Sequence, residues 1–244
     1  MCYSILVQQN LKILEREFGA MPVRTQFDHY EHLTSVDPKR FKAMTSHSRI
    51  YPNYFAPIIA QKNNKSWVIP MRYRVRPMGS TEEIPTKYNV FNARLDSLTS
   101  RGTWSRLIGH NHGLLVIKEF YEWVADDSSE QEIKPHQKIS KKKIIGIRPE
   151  GHDYMLTPVL WDWWESKDKT TSFFSFAVIT GEPPADVLRA GHDRCPIFLS
   201  KEDAALWLDP HKGGHQLEVG AIVEESLKIL SHTVQSSYII RTAM

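Results

Sequence analysis

The second residue of the chain is a cysteine, Cys2. Initiator methionine is ordinarily removed when the residue behind it is small, and the mature chain would then begin with cysteine. Such a residue carries two nucleophiles on adjacent carbons, an α-amine titrating at about 8 and a thiol at about 8.5. The amine can condense with an aldehyde to an imine, and the thiol can close on the same carbon to give a five-membered thiazolidine. An internal cysteine cannot do this, because its nitrogen is an amide. The bland alternative is a small, half-buried residue without chemistry.

Three further segments carry chemically useful side chains. Asn92-Ala93-Arg94 pairs an amide with a guanidinium fork, although Asn92 could equally cap a helix. Phe120-Tyr121-Glu122-Trp123 sets a carboxylate in an apolar run. Buried, Glu122 could act as a general acid or base; outward-facing, it is only a strand residue. His192-Asp193-Arg194-Cys195-Pro196 offers an imidazole on a proline-fixed turn, able to shuttle protons near neutral pH or to serve structure alone. In Met71-Arg72-Tyr73-Arg74-Val75-Arg76-Pro77, strand alternation predicts one face bearing Arg72, Arg74 and Arg76. That face is either a phosphate track or a solvated surface. Neither the eleven histidines nor the two cysteines show metal-ligand spacing, so no metal and no cofactor is expected.

The elements that must position these residues read as follows. Residues 3–7 and 54–60, 66–70, 155–164, 173–180 and 238–241 have strand character, as does 221–224. Residues 113–124 form a bent strand or a pair of strands. Helices are predicted over 8–20, with Leu11, Leu14 and Phe18 in phase and Gly19 as the stop, and over 94–107, 183–190 and 201–208. Residues 21–50 are mixed, and the polar stretch 126–143, ending in three lysines, is a solvated hairpin tip. Irregularly spaced strands with a few helices, without repeat or linker, predict a single α+β domain spanning 2–244.

Composition is that of a folded chain, with 41% hydrophobic residues, and no run approaches a membrane span. The amino terminus lacks a basic n-region, so a cytoplasmic location with free thiols is expected. The net charge of +3 permits a polyanionic partner without demanding one.

Taken in order, these pieces resemble the SRAP family of SOS-response-associated, abasic-site processing proteins. That family has Cys after the initiator Met, then N-A-R-x-E-T, G-[FWY]-[FY]-E-W and H-D-R-[MR]-P motifs. Here they stand as Cys2, Asn92-Ala93-Arg94-Leu95-Asp96-Ser97, Glu119-Phe120-Tyr121-Glu122-Trp123 and His192-Asp193-Arg194-Cys195-Pro196. Softer matches are Met71–Pro77 to M-R-W-G-L-[VI]-P, Tyr54-Phe55-Ala56-Pro57 to Y-N-x-A-P, and Val159-Leu160-Trp161 to A-G-L-W. The motif-bearing part runs over 2–200. The chain departs from the family at Cys2-Tyr3-Ser4, where Cys-Gly-Arg is usual, and at Gly79, where Trp is common.

The resemblance implies mostly antiparallel mixed sheets in a barrel-like core flanked by helices. It implies a monomer acting on single-stranded DNA, or on a junction of single strand and duplex, that contains an abasic site. Cys2 would trap the ring-opened sugar aldehyde as a thiazolidine, shielding the lesion; lyase-like imine chemistry and self-removal of Met1 are further implied activities. Asn92 would place the Cys2 amine, Glu122 would move protons, and His192 would assist sugar ring opening. Arg94 and Arg194, with Arg72, Arg74 and Arg76, would hold phosphates, and Tyr73, Trp123 or Trp161 would stack on bases. A nucleoid-associated location would follow. Two other readings fit the same residues: a hydrolase using the terminal Cys2 on an acyl group, and a non-covalent single-stranded DNA-binding module.

Overall fold

The computed structural model describes residues 4–126, 142–210 and 218–243. In chain order the elements are β1 (Ser4–Val7), α1 (Leu11–Phe18), β2 (Met21–Pro22), α2 (Arg24–Val36), β3 (Arg49–Ile50), β4 (Phe55–Lys62), β5 (Lys65–Tyr73) and β6 (Asn92–Arg94). A 3-10 turn over Leu95–Ser97 follows, then α3 (Gly102–Ser105), β7 (His112–Ala125), β8 (Lys142–Pro149), β9 (Met155–Glu165) and β10 (Ser172–Gly181). The remainder is α4 (Ala185–Arg189), β11 (Cys195–Pro196), α5 (Lys201–Leu208), α6 (Val219–Ser231) and β12 (Tyr238–Thr242).

Five strands close a ring. β5 pairs β4, β4 pairs β7, β7 pairs β9 and β9 pairs β10, all antiparallel, and β10 returns to β5 in parallel. Closure removes the sheet edges that would otherwise need protection. Ring strands bury both faces, which is why they read as continuous apolar runs rather than alternating ones. Residues such as Ile58, Leu115, Ile117, Phe176 and Val178 fill one core cluster. Their neighbours Ile59, Leu114, Val116, Ala177 and Ile179 fill the other, beneath Leu14 of α1, Trp207 of α5 and Ile229 of α6. β1, β3, β8 and β12 extend the sheet beyond the ring.

The α+β class and the barrel-like core stand as expected. α1 is capped by Asn10, whose side chain accepts from the amides of Lys12 and Ile13, and it stops at Gly19 with φ 60°. Three local readings are corrected. The helix expected over 94–107 shrinks to a 3-10 turn and the four-residue α3, because Asn92–Arg94 are drawn out as a strand alongside Val178–Thr180. The strand expected at 221–224 is part of α6, where Ile222, Ser226, Ile229 and Leu230 recur at helical spacing on the buried side. Within 21–50 lies α2, which buries only Leu33 fully and so gives little periodic signal. The hairpin tip expected over 126–143 lies almost wholly outside the described residues. Among the described residues, no helix is long and apolar enough to cross a membrane.

Candidate active site

Glu122 projects from β7 where that strand pairs with β8, and it is 2% exposed. His192 follows α4 through Gly191, whose φ of 89° turns the chain back toward the sheet, and it is 7% exposed. The turn brings His192 Nε2 to 3.0 Å from Glu122 Oε2. On its other side, His192 Nδ1 lies 2.8 Å from the Arg194 carbonyl oxygen. The Arg194 amide nitrogen also faces Nδ1, at the longer distance of 3.3 Å, and the tautomer that serves the nearer carbonyl carries its hydrogen on Nδ1. A proton must then lie between Nε2 and Oε2, held by the ring as imidazolium or by Glu122 as carboxylic acid. The two forms differ only in which heavy atom carries it. A buried carboxylate and imidazole sharing a proton can give one to, or take one from, a reacting group without bulk water.

Asn92 opens β6. Asn89 Oδ1 accepts from the amides of Phe91 and Asn92 at 3.2 and 3.0 Å, shaping the entry to the strand. Tyr73 donates its hydroxyl to Asn92 Oδ1 at 3.0 Å, fixing the orientation of the amide. Tyr73 is fully buried and stacks on Phe176 with centroids 5.1 Å apart. It therefore packs the core and orients Asn92, and does not offer a ring to a DNA base. Asn92 lies in a strand rather than capping a helix.

The Asn92-Ala93-Arg94 and His192–Pro196 segments meet across β10. Thr180 is paired with Arg94 on one side and Pro196 on the other. Asp96 takes Arg94 bidentately, at 2.6 and 3.2 Å, and receives Arg194 Nη2 at 3.5 Å. Arg94 is the more open of the two, with 46% of its side chain exposed against 11% for Arg194. The site thus runs from Glu122 through His192 and Arg194 to Asp96, Arg94 and, along β6, Asn92, which Tyr73 at the end of β5 holds in place.

The arginine track does not take the expected form. β5 ends at Tyr73, and Arg74 sits at φ 133°, so strict alternation stops there. Arg72, Arg74 and Arg76 are 1%, 8% and 5% exposed. Glu83 binds Arg72 Nη1 at 2.7 Å and Arg76 Nη1 at 3.3 Å, and Arg74 donates to the Ile84 carbonyl. Arg72 lies over Phe173 and Arg76 over Trp164. Burial pulls the Arg72 and Arg76 guanidinium groups below the ordinary arginine range, against the pull of Glu83. Burial works to raise the Glu83 carboxyl, but the Arg72 hydrogen bond and the charges of Arg72, Arg76 and Arg74 hold it below the usual range. These groups brace a loop; they are not an open phosphate track. Glu83, lying between two turns and outside any motif, left no signal of this role in the sequence.

Cys2 lies outside the described residues. The first described residue, Ser4, pairs with Tyr121, the neighbour of Glu122. The other cysteine, Cys195, is buried, and burial pushes its thiol up to about 12, leaving it a poor nucleophile at neutral pH. Of the stacking candidates, Trp161 spends its indole N–H on the His112 carbonyl and packs on Phe174, whereas Trp123 is 43% exposed beside Glu122. Among the described residues, no three His, Cys, Asp or Glu side chains are grouped to hold a metal ion.

A model of the SOS response associated peptidase (SRAP) family matches residues 1–237, and the chain belongs to that family. Similar curated proteins include the abasic site processing proteins YobE and YoaM of Bacillus subtilis, at 23% identity over 136 residues and 25% over 137. Each alignment covers 56% of this chain, and the chain spans about half the length of these relatives, 55% and 53%. Crystal structures of proteins from Bacteroides thetaiotaomicron and Bordetella bronchiseptica share the fold. The first has a TM-score of 0.68 at 15% identity, covering 100% of this chain and 92% of that one. The second has a TM-score of 0.63 at 13% identity, covering 100% of both.

Proposed function

We propose that the protein processes abasic sites in single-stranded DNA, or at single-strand–duplex junctions, by bonding covalently to them through Cys2. The observation that carries this reading is the buried Glu122–His192 pair, 3.0 Å apart, in a chain of this family whose second residue is cysteine. The α-amine of Cys2 adds to C1′ of the ring-opened sugar and water leaves, giving an imine. The thiolate then adds to the same carbon, the imine nitrogen takes a proton, and a thiazolidine results. Both steps need a group that gives and takes protons at one place, which Glu122 and His192 can supply. His192 faces the sugar oxygen during ring opening, Asn92 holds the amine, and Arg94 and Arg194 take the flanking phosphates. Trp123 offers a ring to an unpaired base. Ser4 is paired beside Tyr121, and two residues of chain span no more than about 7 Å. That tether supports drawing Cys2 to the Glu122 end of β7.

The order of events is open to a direct test. Cys2→Ala keeps an α-amine and loses the thiol. It is expected to yield an adduct with abasic single-stranded DNA only when borohydride is added to reduce the imine, whereas the wild-type adduct persists without reductant. Equal persistence of both adducts without borohydride would remove the thiol from the mechanism.

A further inference from the structure

Two departures from the family motifs are joined by a chain of contacts through Arg49 and Tyr121. Residue 4 is Ser where the family has Arg, and residue 119 is Glu where the family has Gly. Arg49 of β3 donates Nε to Ser4 Oγ at 2.9 Å. Its guanidinium carbon lies 3.7 Å from the centroid of the Tyr121 ring. The Tyr121 hydroxyl donates to Glu119 Oε2 at 2.9 Å. Arg241 of β12 closes on both oxygens of Glu119, at 2.9 and 2.8 Å. Contacts therefore run from the C-terminal strand, through β7, to the first described residue of β1.

The network has the marks of a designed position. Glu119 is 2% exposed, and a buried carboxylate is tolerable only when its lone pairs are taken, as Arg241 and Tyr121 do here. Room for it is made across the sheet. A Cβ on Gly146 would lie 2.2 Å from Glu119 Oε1, so a side chain there would push the carboxylate off its seat. The described part of β1 begins at Ser4, where it pairs with Tyr121 of β7, and carries a register shift between Leu6 and Val7. Arg49 supplies the side-chain grip at that end, and it grips Tyr121, the neighbour of Glu122 on the same strand.

We propose that Arg49 is a positioning residue for Cys2: with Tyr121, Glu119 and Arg241 it clamps the Ser4 end of β1 to β7, so that the terminal amine and thiol meet the Glu122–His192 pair. The inference rests on the proposed function for its chemical consequence and on the geometry alone for the clamp.

Two measurements test it on the full-length chain with Met1 shown removed by mass spectrometry. Amide hydrogen exchange of Arg49→Ala should quicken at Ser4 and Ile5 while β4 and β5 keep wild-type protection. Unchanged exchange at Ser4 and Ile5 overturns the clamp, whatever the DNA chemistry. In single-turnover adduct formation, Arg49→Ala should lower the saturating rate by about tenfold or more, the scale of a misplaced nucleophile, with a similar half-saturating DNA concentration. Arg49→Lys, which keeps a cation over Tyr121, should recover most of the rate. An unchanged rate with a lower melting temperature assigns Arg49 to stability alone. A raised half-saturating concentration with a changed salt slope makes it a phosphate contact. Either result overturns the positioning role, while absence of any wild-type adduct sinks the proposed function and leaves the exchange result to judge the clamp.

Discussion

Glu122 and His192 are 70 positions apart in the sequence, and their meaning lies in the proton between them. With Nδ1–H donating to the nearer Arg194 carbonyl, the Nε2–Oε2 line is where a proton can move. Glu122→Gln keeps the shape and a hydrogen bond but cannot exchange that proton. It is expected to slow adduct formation by about 100-fold while DNA affinity, read by fluorescence anisotropy, stays within about twofold. Loss of affinity in step with rate would make Glu122 a binding group instead. The two cysteines should also separate cleanly. With its thiol pushed up to about 12, Cys195 stays protonated at pH 8, so iodoacetamide should label Cys2 and spare Cys195 in the folded chain. Labelling of both at equal rates would show that Cys195 is not protected by its burial.

At the scale of the element, β7 does most of the positioning. It presents Glu122 toward His192 and Glu119 with Tyr121 toward Arg241 and Arg49. Gly146, opposite Tyr121 on β8, is the counterpart of Glu119. Gly146→Ala should destabilise by about 1–3 kcal/mol in wild type and by less in an Arg241→Ala/Glu119→Ala background, as denaturant unfolding would read. Equal costs in both backgrounds would mean the methyl clashes with something other than Glu119. Much of this was legible beforehand. The ring strands are marked by apolar runs, α1 by Leu11, Leu14 and Phe18 in phase with Gly19 as the stop, and Glu122 and His192 by two motifs whose side chains the fold brings to 3.0 Å. What was not legible is long-range. Asn92–Arg94 reads as a helix start until β10 offers it a ladder. α6 is an apolar run whose helical period is easily cut short. The arginine segment alternates on paper, but Glu83, several residues on, draws its charges inward.

At the scale of the whole molecule, a closed ring carries the site at one end of β10 and a buried charge cluster at the other, where Arg72 pairs across from Ser175. The cluster gives the fold an acid limit. The Glu83 carboxyl titrates below its ordinary value in the folded state, so its contribution is present above about pH 4.3 and is lost as pH falls through that depressed value. Glu83→Gln should cost about 2 kcal/mol at neutral pH, a figure reduced because 30% of the side chain is exposed, and should flatten the loss of stability on acidification. A mutant with the wild-type acid profile would show that other carboxylates set that limit. The central claim concerns chemistry at the terminus, and one experiment meets it directly. Purified protein, with Met1 shown absent by mass spectrometry, is mixed with a single-stranded oligonucleotide carrying one abasic site, and the products are run on a denaturing gel. A heat-stable shifted band is predicted, absent with Cys2→Ala and absent when Met1 is retained. No such band from a chain with a confirmed terminal Cys2 would contradict the covalent mechanism.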